Sequence, residues 1–402
     1  MIGQPSNAAA IWALGLTQII GYGTLYYSFS ILAPGIANEY GVPVEWIYGA
    51  ISLALLAGGL ISPYAGGLAD RRGAGRVLSL GSAAAAAALL VCGLAGSFGV
   101  FLFGLILVEL ASAFVLYATA FAFLAQTSGA RAQRSITHLT LIAGFASTVF
   151  WPLTSLLLET MDWHAIYGLF AGLNLLICLP LHLWLSLSDR VAGAPAAPPV
   201  AAEVPATKSL PLVFILVVLG FSLAGFVSAA TLFHVVPLLA TLGLGGSAVL
   251  VAALLGPAQV LGRLLNLTFG RNLPPAMLSV ISALMMPLAL AVLAVTTPSL
   301  PGAMAFAVLF GFGTGLFSIV SGTLPLALFG KADYGRRLGW IGFGRLALSA
   351  LAPFALSLAL GTLGPAPSIW LLAAAGLGCV AVFGEIWRRT RPLRGAVLSA
   401  DG

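Results

Sequence analysis

Charge is scarce in this 402-residue chain: only 7% of its residues are Asp, Glu, Lys or Arg, while 60% are hydrophobic. A soluble core cannot conceal that much apolar surface, so the surrounding solvent is expected to be lipid. Cysteine is scarce too. Cys92, Cys178 and Cys379 stand alone within apolar runs, without CxxC or Cys/His spacing, so they are expected to be free structural thiols rather than metal ligands. No GxxxxGK[ST] phosphate loop occurs, which excludes ATP as the direct energy source. HExxH, GxSxG and Cys/His clusters are also missing, which removes the usual intramembrane hydrolase and metal constellations. No enzymatic activity, cofactor or metal is expected. The opening MIGQPSNAAAIW has no basic stretch or small-residue cleavage site, so the first apolar segment is expected to be retained.

What the chain does have is long apolar runs. They predict an all-α membrane protein with helices near 9–33, 46–67, 77–96, 100–124, 136–158 and 164–187, then 210–236, 247–268, 276–296, 302–328, 338–361 and 368–387. The stretch between the two sets contains APAAPPVAAEVPATKS, whose proline and alanine content suits a linker rather than a span. The expected organisation is an N-terminal six-helix bundle over 1–188, a cytoplasmic linker over 189–209, and a C-terminal six-helix bundle with a short basic tail over 210–402. The +6 net charge reads as a topology signal and not as a nucleic-acid footprint. All but two of the 17 basic residues fall in alternate loops, the linker and the tail. The remaining loops carry Glu39, Glu45, Glu159 and Asp162 and no Lys or Arg. Both termini are therefore expected in the cytoplasm of a bacterial cell, with the chain in the inner membrane as a multi-pass monomer.

The halves also echo one another. Asp70-Arg71-Arg72-Gly73 follows the second segment where Thr268-Phe269-Gly270-Arg271 follows the eighth, and Gly144 to Pro152 in the fifth repeats the spacing of Arg345 to Pro353 in the eleventh. Weak internal symmetry of this kind is a mark of duplicated transporter halves. GGLADRRGAGR, residues 66–76, resembles the helix 2 to helix 3 signature of the major facilitator superfamily. That resemblance covers the whole chain through the six-plus-six layout. It implies two pseudo-symmetric bundles with a substrate cavity between them, alternating access by rocking, and a conformational charge network of Asp70, Arg71, Arg72, Gly73 and Arg76. The second copy, FGRN, lacks the acid. The fifth segment, GFASTVFWPLT, is a poor match to the Gly/Pro signature of drug exporters, and the fourth has no arginine in its interior.

Charges inside a span cost about 2.5 to 3.5 kcal/mol on insertion scales, so they are functional candidates. The two basic residues left over are Arg263 in the eighth segment and Arg345 in the eleventh. Arg345 stands about 12 Å beyond Arg337 and Arg263 about 12 Å before Arg271 along continuous helices, which places both at similar depth. Paired guanidinium forks suit a carboxylate or another small oxyanion. The arrangement resembles the organic-anion branch of the superfamily, which serves oxalate, formate or monocarboxylate. In monocarboxylate members an acid precedes the helix 8 arginine by one turn, and here Gln259 takes that place. Snorkelling of both arginines to the cytoplasmic surface is the alternative that their depth permits.

Glu109 is the one carboxyl deep inside a span and is the candidate proton carrier; an ion pair with one of the arginines is its structural alternative. Tyr26, with Tyr22, Tyr27 and Gln18 on the first segment, offers aromatic surface and hydrogen-bonding groups to a substrate, although helix packing explains such residues equally well. His138 and His234 lie toward segment ends, where interfacial roles are expected. The resulting expectation is a secondary transporter of a small organic anion, proton-coupled or exchanging, with Arg345, Arg263, Tyr26, Gln259 and Gln18 at the substrate. Its alternative is efflux of a neutral or cationic compound recognised by Glu109.

Overall fold

A chain in hydrocarbon must satisfy every backbone N–H and C=O internally, and the helix does so within a single segment. The computed structural model describes residues 5–189, 210–270 and 272–390. Twelve helical spans long and apolar enough to cross a membrane are present among them. They are α1 (Asn7–Tyr40), α2 (Trp46–Arg72), α3 (Ala74–Gly93), α4 (Phe98–Thr127), α5 (Gly129–Leu158) and α6 (Trp163–Ser186). The second set is α7 (Pro211–Leu244), α8 (Ser247–Phe269), α9 (Pro275–Thr296), α10 (Leu300–Phe329), α11 (Tyr334–Leu363) and α12 (Pro365–Thr390). No strand occurs among the described residues. The linker residues 190–209, with Arg190 and Lys208, as well as Arg271, Arg391 and Arg394, lie outside them.

By contacts the chain divides into two compact units, Met1–Pro195 with Pro325–Leu346, and Ala196–Leu324 with Ala347–Gly402. In the first, small residues let helices close on one another. A Cβ on Gly81 would stand 2.9 Å from Phe114, and one on Gly104 2.8 Å from the Cys92 sulfur. Buried polar side chains join the same helices. His182 shares hydrogen bonds with Ser82 Oγ at 2.7 Å and Thr17 Oγ1 at 2.9 Å, linking α6 to α3 and α1 in a site closed to solvent. In the second unit the rings of Phe221, Phe317 and Phe383 pack edge to face at 5.0–5.6 Å. The three cysteines are free and buried.

Some helices run further than the sequence reading, so Asp70, Arg71 and Arg72, expected in a loop, lie at the end of α2. Glu39, expected in a loop, lies in the last turn of α1, because the helix continues until Gly41 stops it in the left-handed conformation at φ 62°. There it accepts hydrogen bonds from Trp163 Nε1 at 2.6 Å and pairs with His164 Nε2 at 2.8 Å.

Two spans that bear on function are interrupted. In α1, Gly23–Tyr27 forms a π-helical turn, the kind of local widening that often marks a functional segment. Ser28 Oγ donates to the Gly23 carbonyl at 2.7 Å and Asn174 Nδ2 donates to Thr24 Oγ1 at 2.9 Å, so tertiary contacts hold the turn. In α4, Leu116 is extended (φ −84°, ψ −167°). The carbonyl at the end of its first part, Val115, is met at 2.8 Å by Gln18 Nε2.

Asp189, just past α6, closes the start of α3. Its carboxylate accepts from the Gly75 and Arg76 backbone N–H groups at 3.2 and 2.8 Å. Burial pushes this carboxyl above its ordinary range against the opposing pull of those bonds. Gly73, at φ 91°, leaves room for it, since a Cβ there would stand 2.6 Å from Asp189 Cγ. Asp189→Ala should therefore cost about 1 kcal/mol, as loss of a helix N-terminal cap does. Thermal melting of the purified variant checks this, and an unchanged melting temperature would show that the cap is dispensable.

Candidate functional site

The first unit assembles its candidate groups around two consecutive glycines of α2. A Cβ on Gly58 would stand 2.8 Å from the Glu109 carbonyl oxygen, and one on Gly59 would stand 3.3 Å from Leu346 Cβ. Side chains at those points would push α4 and the first part of α11 away. Their absence brings Glu109 and Arg345, the neighbour of Leu346, to the same stretch of α2.

Glu109 is 5% exposed and its Oε1 has no hydrogen-bond partner. Arg345 is exposed and forms no ion pair within 4.0 Å among the described residues. The Glu109 carboxyl and the hydroxyls of Tyr22 and Tyr26 lie within electrostatic range of it. An exposed cation, with a carboxyl and phenols near but not bonded to it, can take an anion.

The tyrosines belong to a larger aromatic group gathered by the two interrupted helices. The Tyr22 ring lies 4.7 Å from that of Tyr117, which opens the second part of α4, and 6.3 Å from that of Tyr27. Tyr27 meets Tyr26 and Trp151 edge to face at 5.3 and 5.7 Å. Trp151 Nε1 donates to the Tyr27 carbonyl at 3.1 Å. Gln18, in contrast, is fully buried, with its amide nitrogen committed to Val115 and its Oε1 without a partner.

Arg263 and Gln259 belong to the second unit. Arg263 is 5% exposed; its Nε donates to Ser318 Oγ at 2.9 Å and to the Gly315 carbonyl at 3.3 Å, while Nη1 has no partner. Asn266, one turn on, has an unpartnered Oδ1. Gln259 is half-buried, and a Cβ on Gly315 would clash with its backbone oxygen, so α8 and α10 touch there through backbone. The two intramembrane arginines thus differ: one is enclosed and bonded to α10, the other open.

At the charged end of α2, Asp70 accepts from the Gly335 and Arg336 backbone N–H groups at 2.9 and 2.8 Å, placing a carboxylate at the N-terminus of α11. Gly66 and Gly335 approach backbone to backbone, closer than any side chain would allow. Arg71 Nε donates to the Gly67 carbonyl at 3.1 Å, and Arg337 Nη1 donates to the last carbonyl of α10, Phe329, at 2.7 Å. Asp70 has no arginine side chain within 4.0 Å among the described residues, and Arg76 enters the group through its backbone N–H to Asp189. Asp70, Arg71, Asp333, Arg336 and Trp340 line a cleft of about 370 Å³.

Sequence reasoning did not single out Asp189, the Thr24–Asn174 bond, His182, or the contribution of Tyr117 and Trp151 to the tyrosine group. Asp189 alone carried a signal, as a lone acid directly after an apolar run. Among the described residues no group of three or more His, Cys, Asp or Glu could hold a metal ion.

The sequence model of the Major Facilitator Superfamily matches residues 14–345. No curated protein matches the chain at the sequence level. Among solved structures, the fold is similar to the human organic anion transporter MFSD10 (TETRAN), with TM-score 0.74 and 14% identity over 94% of this chain and 100% of that one. It is also similar to the proton:xylose symporter XylE bound to 6-bromo-6-deoxy-D-glucose, with TM-score 0.71 and 13% identity over 94% of this chain and 96% of that one. A third is the transporter FucP in its outward conformation, with TM-score 0.67 and 14% identity over 95% and 99%. At these identities the likeness shows the fold alone.

Proposed function

This chain belongs to the major facilitator superfamily and is therefore a transporter and not an enzyme, and from that premise we propose that it carries a small organic anion, a carboxylate, by secondary active transport. The observation that carries this reading is Arg345, an exposed guanidinium without an ion-pair partner among the described residues, beside Glu109 and the α1 tyrosines. An unpaired cation in a span is costly unless it faces water or a ligand, and the guanidinium fork matches a carboxylate. Glu109 supplies a proton site near that anion, so proton coupling or exchange follows from the same pair. Arg263 and Gln259 are proposed as substrate contacts within the second unit, Arg263 through the Nη1 that has no partner there. Alternating access of two six-helix bundles is the mechanism that duplicated halves imply. The arginine asymmetry supports cytoplasmic termini in an inner membrane. The organic-anion specificity stated for MFSD10 agrees with the reading but belongs to that protein.

Ligand-induced thermal stabilisation of the purified chain tests it, using carboxylates, organic cations and neutral sugars as probes. Stabilisation by carboxylates alone, absent in Arg345→Ala, is expected. Stabilisation by cations alone would transfer recognition to Glu109 and the tyrosines and favour the alternative, efflux of a cationic compound.

A further inference from the structure

The anion reading leaves the rest of the ligand undefined, and the aromatic group of the first unit bears on it. Tyr26 and Tyr27 lie in the π-helical turn of α1 and Tyr22 directly precedes it, about 22 to 30 Å along the span from Asn7 at 1.5 Å per residue. That is the middle of the span, away from the interfacial belts where tyrosine and tryptophan anchor helices. Phenol hydroxyls at such depth are favoured where they meet a polar cavity or ligand. Tyr117 and Trp151 join them from α4 and α5, with ring separations of 4.7 to 6.3 Å, the range of favourable edge and offset contacts. Two of the rings keep open surface, Tyr26 at 43% exposed and Trp151 at 41%, while Tyr117 also stacks on Phe121 at 4.9 Å. The glycine pair of α2 brings Glu109 and Leu346, the neighbour of Arg345, to one stretch of that helix, and all seven residues lie in one compact unit.

We propose that the transported anion is an aryl carboxylate, its carboxylate held by Arg345 and its ring received by the Tyr22, Tyr26, Tyr117 and Trp151 surfaces. The proposal rests on the anion reading above and narrows it. A flat ring with a negative face and positive edge can meet tyrosine edges and faces together, whereas a puckered aliphatic ring of the same size cannot. The carboxylate is the one formal charge needed, since the nearby cation would repel an ammonium group on the same ligand.

Isothermal titration of the full chain with benzoate and with cyclohexanecarboxylate, equal in carbon count, isolates the aromatic contribution. Benzoate is expected to bind at least fivefold more tightly. The ratio should fall below two in Tyr26→Ala and in Tyr117→Leu, and should persist in Tyr26→Phe, which keeps the ring. Tyr26 is exposed, so its variants keep the test standing if Tyr117→Leu fails to fold. Equal affinities for the two acids, both lost in Arg345→Ala, would overturn the aryl inference and leave the carboxylate reading in place. Binding of neither acid would overturn the aryl inference, and binding of both unaffected by Arg345→Ala would overturn the carboxylate reading itself.

Discussion

Arg345→Ala is expected to reduce carboxylate uptake into proteoliposomes by about 100-fold, the size of effect that follows when a charged partner is removed from a desolvated anion, ~3 kcal/mol. The loss should come from binding and not from folding, because Arg345 holds no ion pair among the described residues and is exposed. Arg345→Lys should recover only part of the activity, since an ammonium supplies the charge without the two parallel donors. Arg263 contrasts with it. That side chain is enclosed and bonds to Ser318 and Gly315, so Arg263→Ala should lower the melting temperature as well as uptake. A variant of Arg345 that unfolds, or one of Arg263 that leaves stability untouched, would reverse these assignments.

Glu109→Gln is expected to abolish accumulation driven by a pH gradient while sparing exchange of one anion for another. One proton carried with each monoanion permits about tenfold accumulation per pH unit imposed, because one pH unit is 1.4 kcal/mol. Without a carboxyl at position 109 the accumulation ratio should fall to one. Glutamine keeps the volume and an acceptor oxygen, so the packing of α4 on Gly58 is preserved and the effect reports on the proton. Unchanged accumulation in the variant would place coupling elsewhere.

The twelve spans were readable from the apolar runs because length and hydropathy are local properties, and lipid leaves the backbone few alternatives to helix. Interruptions inside the spans were not. Nothing in the residues of α4 announces an extended Leu116; the break is held by Gln18 on α1, whose amide meets the Val115 carbonyl. Gln18 is a lone amide in an apolar run, which reads as a candidate substrate contact in sequence, and in the fold its amide nitrogen is the strut to Val115. Asp70 and Arg71 stand out in the sequence as opposite charges side by side. In the fold, however, the carboxylate reaches the backbone of Gly335 and Arg336, 265 and 266 residues away, because the start of α11 presents unpaired N–H groups there.

Arg263 and Arg345 look alike in sequence, two lone cations at matching depth. Their surroundings separate them: α10 supplies a serine hydroxyl and a carbonyl to the first, while the second has Glu109 and two phenols nearby without a bond. The glycines that decide this, Gly58, Gly59 and Gly315, are indistinguishable in sequence from the rest of the chain's 48. Close approach of helices is a pairwise property that one helix's residues do not reveal.

Counterflow of a radiolabelled carboxylate, chosen by thermal stabilisation and measured in proteoliposomes without a pH gradient, tests the role of Arg345 most directly, because exchange requires binding and access but no coupling. Robust counterflow in the wild type and Glu109→Gln, and none in Arg345→Ala, is the predicted result. Equal counterflow in the wild type and Arg345→Ala would contradict the account and remove Arg345 from the substrate site.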